Sequence, residues 1–331
     1  MKQSVIIGAG SWGTALAALW GTDGRPISLW GNNAARINRV QSSRENTEYL
    51  PGIRLPDNIS ATHELSDCSE ADLIVFVTPS IALREIATRV RHAGVKENAV
   101  LLSCTKGIEH GSGMRMSEIL SDLFSSNPVA VLSGPNLAAE VVRSLPTATV
   151  IGCANEKYAI ELQRFLGSEH FRIYTSDDVV SIELGGALKN VFAIAAGVSD
   201  GLGLGDNSKA ALLTRAMAEL LRLGTGMGGN ARTFYGLSGV GELIATCFSK
   251  HSRNRRVGER LGQAETLAQI QADMRMVAEG IPTAKSAFEC ARRIGVETPI
   301  IDQVYAVLYQ DKPLLFAMQE LLGRDPKAER L

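Results

Sequence analysis

Lys189 stands in Gly185-Gly186-Ala187-Leu188-Lys189-Asn190-Val191, a cation inside an otherwise apolar stretch. Val180, Leu184, Leu188, Val191 and Ala195 recur at three- or four-residue steps, so the stretch reads as one helical stripe. A lysine among apolar side chains loses hydration, its pKa falls, and it can exchange a proton near neutral pH. Hydride transfer to a carbonyl needs such a partner, because the oxygen gains negative charge as the hydride arrives; positioned acid catalysis contributes about 10²–10⁴ in rate. Glycines inside a helix cost about 1 kcal/mol each against alanine, so Gly185 and Gly186 predict a close approach. A second reading stays open: the lysine stem packs and the ammonium reaches water.

Two further segments join small residues to cations. In Ser103-Cys104-Thr105-Lys106-Gly107-Ile108, a lysine follows a strand, at the sheet edge where α/β proteins bind ligands; the alternative is a lysine at a loop entry. Lys250-His251-Ser252-Arg253-Asn254-Arg255-Arg256 offers donors and a bidentate arginine fork at a helix start, suited to phosphate, or else a solvated basic face. Upstream, Glu242 and Thr246 are four residues apart and share a helix face, from which the carboxylate could hold the ammonium of Lys189 or remain an ordinary surface group.

Gly8-Ala9-Gly10-Ser11-Trp12-Gly13 follows Val5-Ile6-Ile7 and runs into Thr14-Ala15-Leu16-Ala17-Ala18-Leu19, the strand-turn-helix context of a dinucleotide fingerprint. Gly8 makes the turn, Gly10 lets backbone approach a pyrophosphate, and Gly13 lets the helix lie close to the strand. FAD binders share this turn. The second strand ends Leu29-Trp30-Gly31-Asn32-Asn33 without the acid that selects NAD, and Arg36 follows. Asparagine does not repel a 2′-phosphate and arginine could accept one, so both NAD and NADP remain open as the cofactor, and Arg36 is alternatively a solvated helix residue.

These groups need elements to position them. Ser4–Ile7, Ile27–Trp30, Leu73–Val77, Val100–Ser103, Val129–Ser133 and Ala148–Gly152 read as strands, continuous in polarity as strands buried on both faces are. With the helical patterns Thr14–Trp20, Ile81–His92 and Gly113–Phe124 between them, they predict a Rossmann-like, doubly wound, mostly parallel sheet. Past Ser176, a helix-cap candidate, the chain turns helical: Ser208 could cap a helix ending at Gly224, apolar over most of its circumference and therefore expected to be central. Helices follow at about Gly239–Phe248, Ser252–Leu261, Thr266–Met274, Thr283–Ile294 and Ile300–Tyr309. The division expected is an α/β domain over 1–189 and an all-α domain over 190–331.

Length and composition narrow the function. A chain of 331 residues exceeds one compact core. With 34 basic and 35 acidic side chains, nothing global points to nucleic acid, so anion recognition must be local. Five scattered cysteines outside any CxxC spacing and five histidines without ligand spacing argue against disulfides and a metal site, and a cytoplasmic setting is expected. No stretch is expected to approach the length of a membrane span.

Taken in order, GAGSWG, TKGI, SGPN, LGGALKNV, GVGELIATC, SRNRR and VAEG resemble the NAD(P)-dependent glycerol-3-phosphate dehydrogenases of the bacterial type, from the first glycine turn to Leu321–Arg324. The resemblance implies an enzyme that reversibly passes hydride between NAD(P)H and dihydroxyacetone phosphate, giving sn-glycerol 3-phosphate for phospholipid head groups. It also implies a helical domain like that of 6-phosphogluconate dehydrogenase. Lys189 would be the general acid/base on the substrate. Lys106 would touch substrate and dinucleotide, with Gly134 and Asn136 lining the substrate. Ser252, Arg253 and Asn254 would hold its phosphate, and Asn190, Glu242 and Thr246 are further substrate-side candidates. Ser11, Trp12, Asn32, Tyr49, Ala138, Arg253, Val277 and Glu279 would touch the dinucleotide. Two departures stand out: Glu242 replaces the family's usual Asp, and Asn136-Leu137 replaces Ser or Thr followed by Phe after the SGP turn. A dehydrogenase of another small hydroxy acid and a non-catalytic NAD(P) sensor are the competing readings. The apolar helical half suits a homodimer.

Overall fold

The structure is a computed structural model describing residues 1–274, 276–325 and 328. The chain divides into two compact units, Met1–Thr105 with Met116–Val179, and Lys106–Arg115 with Val180–Leu331.

In the first unit β1 (Ser4–Ile7), β2 (Ile27–Trp30), β3 (Ile59–Thr62), β4 (Leu73–Phe76), β5 (Val100–Ser103), β6 (Val129–Ser133), β7 (Thr147–Gly152) and β8 (Phe171–Ser176) form one sheet. Its order is β3-β2-β1-β4-β5-β6-β7-β8. Every pairing is parallel except β6 with β7. The accompanying helices are α1 (Ser11–Gly21), α2 (Ala34–Ser43), α3 (Leu83–Ala93), α4 (Met116–Leu123), α5 (Ala138–Val141) and α6 (Glu156–Leu166). Strands β1, β2, β4 and β5 are buried throughout, as their unbroken apolar runs require. The strand order reverses between β1 and β4, so the carboxyl ends of these two strands flank the switch point where doubly wound sheets bind ligands.

Apolar runs located every strand except β3 and β8, the two edges. There the residues alternate: Ile59 and Ala61 are buried around exposed Ser60, and Phe171 and Ile173 around exposed Arg172. That period of two marks a half-covered edge rather than an interior strand.

The second unit contains α7 (Val179–Gly201), α8 (Gly205–Gly226), α9 (Ala231–Phe234), α10 (Glu242–Phe248) and α11 (Arg253–Gly262). Helices α12 (Leu267–Asp273), α13 (Gly280–Ile294), α14 (Pro299–Tyr309) and α15 (Leu314–Leu322) complete it. Its central helix is α7, buried without a break from Ser181 to Ile194. The expectation gave that place to the next helix, but α8 starts at Gly205, runs to Gly226 and leaves Ala210, Ala211, Thr214 and Arg215 exposed. Leu212 and Leu213 are only half-buried. At 23 residues α7 is also long and apolar enough to cross a membrane, contrary to expectation, yet it is mostly buried inside the protein.

The unit boundary lies between Val179 and Val180 rather than between 189 and 190, because α7 is uninterrupted there and its Leu184, Ala187 and Leu188 already belong to the helical core. Residues Lys106–Arg115 also join that core, through buried Ile108 and an Arg115–Glu183 ion pair at 2.6 Å.

Candidate active site

In the sheet unit the glycine turn leads from β1 into α1. Gly8 has a φ of +124°, a conformation that favours glycine, and a Cβ on Gly13 would collide with the Gly8 carbonyl oxygen. Gly10 caps α1 without any side-chain cap, and a Cβ there would meet nothing within 4 Å. An α-helix N-terminus not closed by a side chain, beside open space, fits a dinucleotide pyrophosphate.

Asn46, buried in the loop after α2, holds the turn: its Nδ2 donates to the Ala9 carbonyl at 3.0 Å and to Thr14 Oγ1 at 2.8 Å. Ser11 Oγ donates to the Tyr49 carbonyl at 2.6 Å, and Trp12 packs against the sheet core. Sequence reasoning missed Asn46, because no local spacing rule reaches a bond spanning 37 residues.

At the end of β2, Asn33 caps α2 by accepting from the Arg36 amide, while the Arg36 side chain donates to Glu48 at 2.8 Å and lies 4.9 Å from the Tyr49 ring. Asn32 Oδ1 accepts from Arg89, a residue the sequence did not single out. Gly134, Asn136 and Ala138 also belong to the sheet unit. The Asn136 side chain bonds to β7, donating to the Ala148 carbonyl at 3.2 Å and accepting from Thr149 at 2.9 Å.

In the helical unit, a Cβ on Gly185 would collide with the Ser238 carbonyl oxygen, so the close approach foreseen from the glycines is that of another chain segment. That segment is a π-helical turn, Leu237–Gly241, which delivers Glu242 as the first residue of α10. Single π-turns are frequent at functional sites. The carboxylate of Glu242 bridges two ammonium groups, Lys106 Nζ on Oε1 and Lys189 Nζ on Oε2. Thr246, one turn along α10, accepts a further bond from Lys189 Nζ at 2.7 Å. The side chains of Glu242, Lys189 and Lys106 are 1%, 10% and 19% exposed, a gradient from interior toward solvent. The ammonium of Lys189 is therefore held inside rather than extended to water.

Burial lowers the pKa of Lys189 to about 8; the charge of Glu242 opposes the fall and that of Lys106 assists it. Glu242 is pushed upward by burial, but the two ammonium groups outweigh that and keep its carboxyl below the ordinary value. Losing one proton from Lys189 leaves a neutral Lys106–Glu242 pair, so the amine can discharge without stranding a buried charge. Cys247 next to Thr246 stays a thiol, its pKa raised by burial to about 12.

Asn190 continues the site along α7, accepting from Asn254 Nδ2 at 2.8 Å, and Asn254 Oδ1 accepts from the Gly280 amide at 2.8 Å. Ser252 caps α11 by accepting from the Arg255 amide, and Arg253 donates to the Val277 carbonyl at 2.7 Å. Glu279 is the residue immediately before α13. The helical unit thus gathers Lys106, Lys189, Glu242 and Thr246 into one cluster. Asn190 and Asn254 link the starts of α11 and α13, where Ser252, Arg253 and Glu279 stand.

Fold and site fit a class, an oxidoreductase that binds a nicotinamide dinucleotide on a doubly wound sheet, and the helical unit holds a buried lysine with a lowered pKa. Comparison with known proteins narrows it. Residues 4–159 match the model of the NAD-dependent glycerol-3-phosphate dehydrogenase N-terminus, and residues 178–319 match that of the C-terminus. The chain is 45% identical over 329 residues to glycerol-3-phosphate dehydrogenase [NAD(P)+] of Geobacter metallireducens, covering 98% of each. It is 44% identical to the Corynebacterium glutamicum protein of the same name, over 99% of this chain and 100% of that one. The crystal structure of glycerol-3-phosphate dehydrogenase from Coxiella burnetii superposes with a TM-score of 0.94 at 36% identity, over 98% of this chain and 99% of that one. The chain belongs to the NAD-dependent glycerol-3-phosphate dehydrogenase family.

Proposed function

We propose that Lys189 is the general acid/base of this enzyme, which reversibly exchanges hydride between NAD(P)H and dihydroxyacetone phosphate to give sn-glycerol 3-phosphate, a phospholipid precursor. The bound dinucleotide supplies or takes up the hydride. Lys189 gives its proton to the C2 oxygen during reduction and takes it back during oxidation. The buried cluster with Glu242 supports this role, since it combines a lowered amine pKa with a fixed ammonium position. Lys106 keeps one positive charge beside the reacting oxygen as that oxygen turns anionic, and Thr246 fixes the direction of the Lys189 ammonium.

The substrate phosphate is assigned to the start of α11, where the amide end of a ten-residue helix, the Ser252 cap and the Arg253 fork meet. Gly134 and Asn136 are proposed substrate contacts of the sheet unit; within the helical unit, Asn190 and Asn254 keep α11 and α13 in register. Ser11, Trp12, Asn32, Tyr49 and Ala138 are proposed dinucleotide contacts of the sheet unit, and Lys106, Arg253, Val277 and Glu279 are proposed ones of the helical unit.

The deciding assay follows the 340 nm absorbance of NADH and, in parallel, of NADPH with pure protein. Consumption that requires dihydroxyacetone phosphate, and that unphosphorylated dihydroxyacetone fails to support, is the expected result. Equal rates with both ketones would abandon the phosphate site, and cofactor binding without any turnover would favour a sensor.

The protein is assigned to the cytoplasm, in keeping with its five free cysteines. It is further assigned as a homodimer. A cavity of about 1440 Å³ in the helical unit, lined by Leu212, Leu221, Val304, Leu308, Met318 and Leu321, contains none of the cluster lysines, and Leu315 and Phe316 on α15 are exposed. Sedimentation velocity at micromolar concentration should give a dimer mass; a monomer would overturn this.

A further inference from the structure

We infer that Arg89, on α3, receives the 2′-phosphate of NADP and gives this chain its capacity for the phosphorylated dinucleotide, an inference that rests on the dinucleotide reading of the sheet unit. In a doubly wound sheet the residue closing the second strand meets the adenosine ribose, and an acid there bonds the 2′-hydroxyl and repels a 2′-phosphate. This chain has Asn32 at that place, immediately past β2 and Gly31.

Two guanidinium groups stand near it, and their surroundings differ. Arg36, the cation suggested by the sequence, donates to the carboxylate of Glu48 at 2.8 Å, so its charge is already balanced. Arg89 is exposed; its Nη1 donates to Asn32 Oδ1 at 2.8 Å, and its guanidinium lies 5.3 Å from the Trp30 ring centre. Neither an amide nor an aromatic face cancels a positive charge, and among the described residues Arg89 forms no ion pair with a carboxylate.

Trp30 is fully buried at the end of β2, so it offers a fixed face for the guanidinium. Asn32 orients the same group from the side and uses one of its five N–H donors. The remaining fork suits a dianionic phosphate, which arginine binds bidentately. Asn32 is then a positioning residue: it directs Arg89 without adding the negative charge that would exclude the ligand. Selectivity for the phosphorylated dinucleotide arises from a residue on α3 instead of from the second strand itself.

The test compares the native protein with Arg89→Met and Asn32→Asp in initial rates with NADPH and NADH at saturating dihydroxyacetone phosphate. A charge-assisted contact of this kind corresponds to at least about a tenfold change. In Arg89→Met the ratio of kcat/KM for NADPH to that for NADH should fall at least about tenfold. Asn32→Asp, which puts a carboxylate on Arg89, should move the ratio in the same direction. Calorimetry with 2′,5′-ADP and 5′-AMP reads the contact without turnover: Arg89→Met should weaken the first and not the second. An unchanged ratio together with unchanged 2′,5′-ADP affinity overturns the assignment, as does an equal loss with both dinucleotides. Absence of turnover with both NADH and NADPH in the native protein would instead count against the enzyme reading, leaving the 2′,5′-ADP measurement to judge Arg89.

Discussion

Desolvation inside α7 is the largest influence on the Lys189 amine, and a pKa near 8 suits the acid/base role proposed for it in both directions of the reaction. Reduction needs the protonated form, so kcat/KM for dihydroxyacetone phosphate should be level below about pH 8 and decline about tenfold per unit above it. Oxidation needs the free amine, so kcat/KM for glycerol 3-phosphate should rise toward the same pH and then level. Profiles measured in both directions in one buffer series check this; limbs of the same sign would remove Lys189 from proton transfer. Lys189→Ala should lower turnover by at least about 10² with little change in dinucleotide affinity by calorimetry. Glu242→Gln removes the charge that restrains the fall in the Lys189 pKa while burial and Lys106 remain, so both limbs should move to lower pH. Lys189, Glu242 and Thr246 were legible in sequence because helix periodicity places a polar residue on an apolar face or pairs groups four apart. Asn46 and Arg89 were not, since their bonds span 37 and 57 residues of chain.

Among the elements, the packing of α7 against the π-helical turn governs where Glu242 stands. Gly185→Ala would drive a methyl into the Ser238 carbonyl, and the two segments must separate. Overpacking of this kind costs about 1–3 kcal/mol, and displacement of Glu242 should lower kcat more than it raises KM. Chemical denaturation and steady-state kinetics on the same preparation test both parts; a stable variant with native kcat would sever the link between the glycine and the site. The sequence indicated that something must press on these glycines, but periodicity cannot say what, because the partner is 53 residues away. A second element-level device is Glu219 on α8, wholly buried, which accepts the amides of Ile300 and Ile301 at the start of α14. Burial raises its pKa from 4.5 to about 7, with the two amides and Arg222 opposing and Asp302 assisting. Between those values the folded state holds a proton that the unfolded chain has lost, so this group's contribution to stability falls as pH rises from 4.5 to about 7. Thermal melts across that range should therefore show a steeper decline in the native protein than in Glu219→Gln; parallel curves would mean that the carboxyl titrates normally.

For the whole molecule, the chain passes between its two units three times, at 105–106, 115–116 and 179–180. Composition located the change from strands to helices but not the excursion, since ten residues are too few to alter it. The excursion supplies parts that the helical unit cannot replace. Ile108 is buried in its core, Arg115 pairs with nearly buried Glu183, and Arg293 donates to the carbonyls of Gly111 and Ser112 at 3.0 and 2.9 Å. Removing a buried aliphatic side chain costs about 2–5 kcal/mol, and leaving a buried carboxylate unpaired costs about 3–5 kcal/mol. Either is a large share of the roughly 5–15 kcal/mol by which a domain is stable. A fragment of residues 180–331 should accordingly unfold at much lower denaturant concentration than the same fragment preceded by residues 106–115 through a flexible linker. Within the full chain, Ile108→Ala should destabilise the helical unit. Circular dichroism on both fragments measures the outcome. If the fragment without residues 106–115 were equally stable, the contacts of Ile108, Arg115 and Arg293 would contribute nothing to the stability of the helical unit.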